Sequence, residues 1–339
     1  MITRRRACTP LLALALAAGG CDAVSDDADI DDVDIAFRPG SGGILLDSAS
    51  LGWFRFSELD SGFHHHSLRG VVLVRVCLAK KFLARCLAKI KLVDGKLVGS
   101  DDQGSYTGVD LVGSRWDLEF DTPDPVTGEG DGLPDSTASL RLVGRSVVPV
   151  AGGGTLELID LRTDRATVTG PLKATLPAGN EPVPLCAPDP ARGGATEAAL
   201  LGDTSVDHDG SFSARPDTLH IACTSAAIGR ARTLGYRPEA LGLDAFEGLT
   251  RAFRADYCGT GESHATPGNG FAIADVWGIQ STTEPLHEAR WSSAGALCLD
   301  HARNPTVDAA AIRGACGIPM CDSGPLGSDG EVAMTSLAM

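Results

Sequence analysis

The chain has 339 residues and a formal net charge of −15, with Gly 41, Pro 19 and 43% hydrophobic residues. The length allows two ordinary domains, each with its own core, and the composition is that of a turn-rich globular protein rather than a disordered one. A polyanion of this size repels nucleic acid and anionic headgroups, so nucleic-acid binding is set aside.

Residues 1–20 read as an export signal. Arg4-Arg5-Arg6 supplies the positive start, and Leu11 to Ala18 is an apolar run too short to span a bilayer. The run closes on Ala18-Gly19-Gly20-Cys21, which is similar to a bacterial lipoprotein processing box with Cys21 as the lipidated residue. Ala18 stands where such boxes usually have leucine, and a plain secretory signal is the alternative. Acyl chains contribute about 0.8 kcal/mol per buried CH2, so several on Cys21 would hold the protein to a membrane. Residues 21–36 carry Asp26, Asp27, Asp29, Asp31, Asp32 and Asp34 with little to bury, and read as an acidic flexible tether. The expected location is the cell envelope, as a membrane-anchored lipoprotein, or else secreted. The expected partners are the membrane, through the lipid, and an envelope partner or ligand.

Of ten cysteines, Cys8 leaves with the signal and Cys21 takes lipid. Cys77, Cys86, Cys186, Cys223, Cys258, Cys298, Cys316 and Cys321 remain, an even set that reads as disulfides in an oxidising compartment. Zinc spacing is approached only by Cys316 and Cys321, without a second matching pair, so no metal and no cofactor is expected. The expected pairing is Cys77 with Cys86, Cys186 with Cys223, Cys258 with Cys298, and Cys316 with Cys321.

Residues 37–175 read as a β-rich domain, a sandwich or partial barrel. Gly70 to Val76 is a β-branched run, and Lys89 to Val93 alternates with period two. A hairpin between them would bring Cys77 and Cys86 together; a helix through Leu78, Phe82, Cys86 and Ile90 is the rival. The basic residues here (Arg69, Arg75, Lys80, Lys81, Arg85, Lys89 and Lys91) read as a polar strand face, or as a contact for an acidic partner. Gly99, Gly104, Gly108 and Gly113 are spaced like a pentapeptide-type repeat. Asp121 to Asp135 reads as a loop, and Ser139 to Val143, Thr155 to Leu161 and Arg165 to Gly170 as strands. His64-His65-His66 reads as an exposed loop rather than a metal site, since alternate strand residues face opposite ways.

The second half begins at Pro182-Val183-Pro184-Leu185-Cys186. Thr218 to Cys223 is strand-like, Cys223 to Leu234 reads as a helix stopped by Gly235, and Leu243 to Ala255 as a second helix. On the latter Phe246, Leu249 and Phe253 form the apolar stripe, with Glu247, Arg251 and Arg254 off it. A strand is expected at Phe271 to Ile279, a strand pair through Ala289-Arg290-Trp291 and Gly295 to Cys298, and a short helix at Ala309 to Ala315. Residues 323–339 read as a loose tail. Asp207-His208-Asp209-Gly210 reads as a turn, and Gly152-Gly153-Gly154 lacks the lysine of a phosphate loop.

The stretch Arg254-Ala255-Asp256-Tyr257-Cys258-Gly259 resembles the signature of the ADYC domain family. Matching blocks stand in order around it: Pro184-Leu185-Cys186, Ile221-Ala222-Cys223, Ala227-Ile228-Gly229, Leu234 to Pro238, and Trp291 with Gly295 to Cys298. Together they place an ADYC-like domain over residues 180–322. The resemblance implies an envelope or secreted setting and names no reaction. Family members carry cysteine where this chain has Ala231 and Leu249; two apolar residues there imply that one disulfide was lost as a unit, with the two positions still facing each other.

The fold class expected is α+β: a mainly-β N-terminal domain followed by a disulfide-stapled α+β C-terminal domain. Two functions compete. One is a non-catalytic binding or structural module of the envelope. The alternative is a thiol hydrolase or transferase with Cys258 as nucleophile, His264 or His220 as base and Asp256 orienting it. The non-catalytic module is favoured, because Cys258 belongs to an even cysteine set and a disulfide-bonded sulfur is no nucleophile.

Overall fold

The computed structural model describes residues 45–46, 50–52, 54, 56–63, 70–79, 85–120, 134–170, 181–266, 270–322, 324–327 and 330–337, with single positions at 173, 176 and 179. The segments read as an export signal and an acidic tether, with Cys21, His64 to His66, Arg69, Lys80, Lys81, most of the Asp121 loop and Pro267 to Asn269, lie outside the described residues. In chain order the first strands are β1 (Leu45–Leu46), β2 (Glu58–Asp60), β3 (Val71–Leu78), β4 (Arg85–Cys86), β5 (Lys89–Val93), β6 (Lys96–Asp101), β7 (Gly104–Thr107), β8 (Arg115–Phe120), β9 (Ser136–Pro149) and β10 (Thr155–Thr163). There follow β11 (Val183–Pro184), β12 (Ala198–Val206), β13 (Phe212–Cys223), β14 (Gly270–Asp275), β15 (Leu286–Ser292), β16 (Gly295–Leu299) and β17 (Ala333–Leu337). The α-helices are α1 (Ala227–Thr233), α2 (Pro238–Leu241), α3 (Leu243–Arg254) and α4 (Ala309–Cys316).

The molecule is mostly β, in antiparallel sheets. Nine strands form the largest, in the order β2-β13-β12-β10-β9-β8-β3-β4, with β11 added to β10. It draws strands from both sides of residues 176–179. Five strands form a second sheet, β1-β14-β17-β15-β16, and β5-β6-β7 form a small third one.

Strands β12 and β13 are walls shared by two cores. Period-two alternation sends Leu200, Leu219, Ile221 and Cys223 into a first core with Trp116, Leu118, Phe120, Ile90 and Leu97. Their neighbours Leu201, Phe212 and Ala222 enter a second core with Ile228, Phe246, Phe253, Tyr257, Phe271 and Trp291. A strand pair buried on both faces reads as the unbroken Leu219-His220-Ile221-Ala222-Cys223. Helix α3 lies in the second core, touching α1, β13 and strands β15 to β17 of the five-stranded sheet.

Most local expectations hold. Cys77 and Cys86 are directly opposed in the β3–β4 hairpin, not stacked on a helix, but the expected second arm, Lys89 to Val93, is β5 and pairs with β6 in the small sheet instead. Among the described basic residues, Arg75 bonds Asp117, Arg85 bonds Asp101, and Lys89 bonds Asp217. Four differences have local causes. Residues 165–170 are not a strand, because the Asp164 carboxylate accepts from Ala166 N and nucleates a 3-10 turn at Arg165–Thr167. The glycines from 99 to 113 punctuate β6, β7, a 3-10 turn and β8 rather than a stack of repeats. Strand β14 stops at Asp275, whose carboxylate accepts from the N–H groups of Trp277, Ile279 and Gln280 and folds the chain back. The expected loose tail contains β17, a middle strand between β14 and β15 with Ala333 and Thr335 fully buried.

Strand β2 is latched by a buried carboxylate. Glu58 lies opposite His220 of β13, and one oxygen accepts from Ser205 Oγ at 2.6 Å and Val206 N at 2.9 Å. Burial opposes the charge, but the His220 imidazole 3.9 Å away, with hydrogen bonds from Ser205 and Val206, outweighs it and holds the Glu58 pKa down at about 2 instead of 4.5. A carboxyl with a depressed folded-state pKa stabilises the fold above its unfolded value, and that contribution fades as pH falls from 4.5 towards 2. Replacing Glu58→Gln should flatten the acid limb of the stability curve by about 3 kcal/mol, measured by urea unfolding between pH 6 and about 2.5.

Ala231 of α1 and Leu249 of α3 are both fully buried in the second core, on helices that pack together. The double variant Ala231→Cys/Leu249→Cys is expected to form a crosslink under oxidising conditions, seen as a thiol-free pair by peptide mass mapping. Two free thiols at these positions in the folded, oxidised protein would show that the residues do not face each other.

Candidate functional site

The signature begins where α3 ends. Ala255 adopts a left-handed conformation (φ 51°, ψ 41°), Ala255 N bonds Ala252 O, and Asp256 N reaches back to Arg251 O. This is a Schellman closure with alanine where glycine is usual. The methyl group costs about 1 kcal/mol there, and Ala255 is fully buried in the second core.

The charged side of α3 is buried with the apolar stripe: all residues from Phe246 to Arg254 are enclosed. Arg251 bonds Glu247 Oε1 through Nη2 at 2.7 Å and Asp256 Oδ2 through Nη1 at 2.6 Å. Its remaining donors reach Ser293 O at 2.8 Å and Asp209 O at 3.1 Å. Glu247 also accepts from Phe212 N, and Asp256 from Thr260 N and Gly261 N. Arg254 donates to Gly261 O at 2.6 Å; burial pushes its pKa below the ordinary value, with Asp256 opposing that shift. One network thus ties α3 to the β12–β13 turn, the β15–β16 turn and the loop after the signature. Asp207 to Gly210 forms that β12–β13 turn, as its sequence indicates.

Tyr257 enters a second network. Its hydroxyl donates to Glu288 Oε1 at 2.8 Å and accepts from Arg303 N at 2.8 Å, while its ring stacks on Trp291. Burial, and then the Glu288 charge, push its pKa well above the ordinary 10.0. Arg303 and Glu288 form a fully buried pair, with Nε and Nη2 of Arg303 both directed at the carboxylate. Arg303 also donates to Ala252 O and Phe253 O at the end of α3, and its guanidinium lies over the Phe271 ring at 3.8 Å.

The sulfur of Cys258 is bonded to Cys316 of α4, and Cys298 to Cys321. This corrects the expected pairings of Cys258 with Cys298 and of Cys316 with Cys321. Helix α4 brings Cys316 to the signature, whereas the following chain carries Cys321 to β16, where its N–H bonds Asp300. Cys186–Cys223 forms as expected. Gly259 needs no side chain: a Cβ would lie 2.2 Å from Ala294 O, and one on Gly295 would lie 2.7 Å from Tyr257 O.

Of the suggested thiol-enzyme residues, Cys258 is engaged by Cys316 and the others have partners of their own. Asp256 is held by Arg251. His264 directs Nδ1 at the Ala255 carbonyl at 3.2 Å, so that nitrogen carries the proton. His220 is enclosed beside Glu58 on the large sheet. Sequence reasoning missed Glu288 and Arg303; the available signal was a glutamate inside the strand run Leu286-His287-Glu288-Ala289-Arg290-Trp291.

The other matching blocks are joints of the same kind. Gly235 passes against Ala151 O, where a Cβ would lie at 2.2 Å, and Tyr236 OH donates to Asp275 at 3.0 Å. A family model, the ADYC domain, matches residues 108–305, more than half of the chain. The chain belongs to the ADYC domain family. The ADYC match starts at Gly108, inside the segment read from sequence as β-rich, and ends before α4 and β17. No curated protein and no solved structure matches the chain.

Replacing Gly259→Ala should cost about 3 kcal/mol or more, because both the left-handed φ of 67° and the backbone contact forbid a Cβ. Urea unfolding of the oxidised protein measures it. A loss under about 1 kcal/mol would mean that the Ala294 turn yields freely.

Proposed function

We propose that this ADYC protein is an exported module of the cell envelope, held to a membrane by lipid on Cys21, that binds a partner or supports structure and does no chemistry of its own. The observation that carries this reading is the inward orientation of the family signature. Asp256 and Tyr257 are buried on protein partners, Cys258 is bonded to Cys316, and Gly259 is packed against backbone. A signature of this kind specifies a fold. The pairing of all eight cysteines after Cys21 supports an oxidising compartment.

Two measurements test the proposal. Palmitate should label the wild type and leave Cys21→Ser unlabelled, with the variant moving from the membrane fraction to the soluble one; equal labelling, or membrane retention without Cys21, counts against the anchor. Protein isolated without reductant and then denatured should show no free thiol at Cys258. A free, alkylation-sensitive Cys258 would restore the thiol hydrolase or transferase reading.

A further inference from the structure

Away from the signature, at the far end of the β15–β16 hairpin, four metal-ligating side chains share one place. His287 lies on β15 and Cys298 on β16, Asp300 follows β16, and Cys321 arrives from beyond α4. His287 Nδ1 is 2.9 Å from Asp300 Oδ2, and the other Asp300 oxygen accepts from Cys321 N at 3.0 Å. Single ligand atoms of His287, Asp300 and Cys321 all lie within 4.8 Å of one another, each residue half-buried. Cys298 Sγ is bonded to Cys321 Sγ and so belongs to the same cluster. Nε2 of His287 is buried and has no hydrogen-bond partner among the described residues.

We propose that the dithiol form of this protein binds a zinc-class divalent ion through Cys298, Cys321, His287 and Asp300, so that metal and the Cys298–Cys321 disulfide are alternative occupants of one site. The donor set is two thiolates, an imidazole and a carboxylate, which suits a closed tetrahedral zinc site. With Zn–N and Zn–O bonds of about 2.0 Å and Zn–S of about 2.3 Å, the edges of such a tetrahedron are roughly 3.3 to 3.8 Å. The three ligand atoms already lie within 4.8 Å of one another, so small side-chain shifts and the parting of the two sulfurs complete the site. Two ligands sit on paired strands, and the Cys321 N–H to Asp300 bond holds a third in place, so the site is largely preorganised.

The redox step balances simply. A dithiol reductant gives two electrons and two protons to the Cys298–Cys321 bond and is itself oxidised to a disulfide. Zinc then displaces one proton from each thiol and forms two Zn–S bonds. In the oxidised protein neither sulfur is a thiolate, and the site is shut to the ion. The sequence masks this arrangement because Cys298 and Cys321 are 23 residues apart and the other two ligands fit no zinc spacing pattern.

The test uses the full chain, reduced anaerobically with a phosphine that takes oxygen from water as it becomes phosphine oxide. Cobalt(II) is titrated first and then zinc, with near-ultraviolet circular dichroism reporting whether the fold survives. One cobalt ion per chain is expected, with a sulfur-to-cobalt charge-transfer band that zinc abolishes and that the oxidised chain lacks. Bound zinc should shield Cys298 and Cys321 from alkylation while Cys258 and Cys316 react. H287A and D300N should each raise the zinc Kd by more than about tenfold, and C77S/C86S should leave it unchanged. The proposal is overturned if the reduced chain gives no thiolate band, if H287A and D300N bind zinc as the wild type does, or if zinc shields all cysteines alike. Unfolding on reduction, with zinc uptake indifferent to His287, overturns it equally.

Discussion

Arg251 sits inside the protein with a positive charge, and much of the C-terminal half is arranged around that fact. A buried guanidinium without partners is prohibitive, and removing one partner of such a pair costs about 3 to 5 kcal/mol. Its donors are met by Glu247 one turn earlier, by Asp256 just past the helix, and by carbonyls of two separate turns. The helix end, the β12–β13 turn and the β15–β16 turn must therefore all be in place together. The Arg303–Glu288 pair does the same on the other side of Tyr257, capping the last carbonyls of α3. Apolar burial supplies the driving force of the second core, but the two ionic networks fix which arrangement of turns is acceptable.

The disulfides reinforce this geometry at its weak points. Cys77–Cys86 closes a hairpin whose second strand is two residues long, and Cys186–Cys223 fastens the chain after β11 to the end of β13. The other two join Cys258 and Cys298, inside the family match, to Cys316 and Cys321 beyond it. Cross-links of this kind act chiefly by restricting the unfolded chain. Here they also fasten α4 and the chain after it to a core that already holds Ile312 and Ile318.

Much of the local structure is legible in the sequence, because short-range chemistry decides it. Alternation gives β3, β5, β10 and β13; the apolar stripe of Phe246, Leu249 and Phe253 gives α3; the place of Cys77 and Cys86 between β runs gives their disulfide, though not the strand that closes the hairpin. What is not legible is which polar face meets water. Glu247, Arg251 and Arg254 look like the solvated side of a surface helix, yet they are enclosed, because a β turn from each of the two larger sheets closes over them. The disulfide exchange between Cys298 and Cys316 has the same origin: sequence proximity favours Cys316 with Cys321, but the helix between β16 and the tail swings the first away from the second. Asp275 ended one expected strand and Asp164 pre-empted another by accepting from backbone N–H groups, a competition that hydropathy patterns do not register.

Strand β17 has a consequence for how the molecule can be assembled. It lies between β14 and β15, although both precede it in the chain by some forty residues or more. During synthesis, those two strands emerge with a gap between them that is filled only when β17 follows. The five-stranded sheet, and the floor it gives to α3, must wait for residues 333–337. Until then the hydrophobic faces of Phe271, Ile273 and Trp291 stand open, so the interval is one in which the nascent chain is most exposed to mispairing.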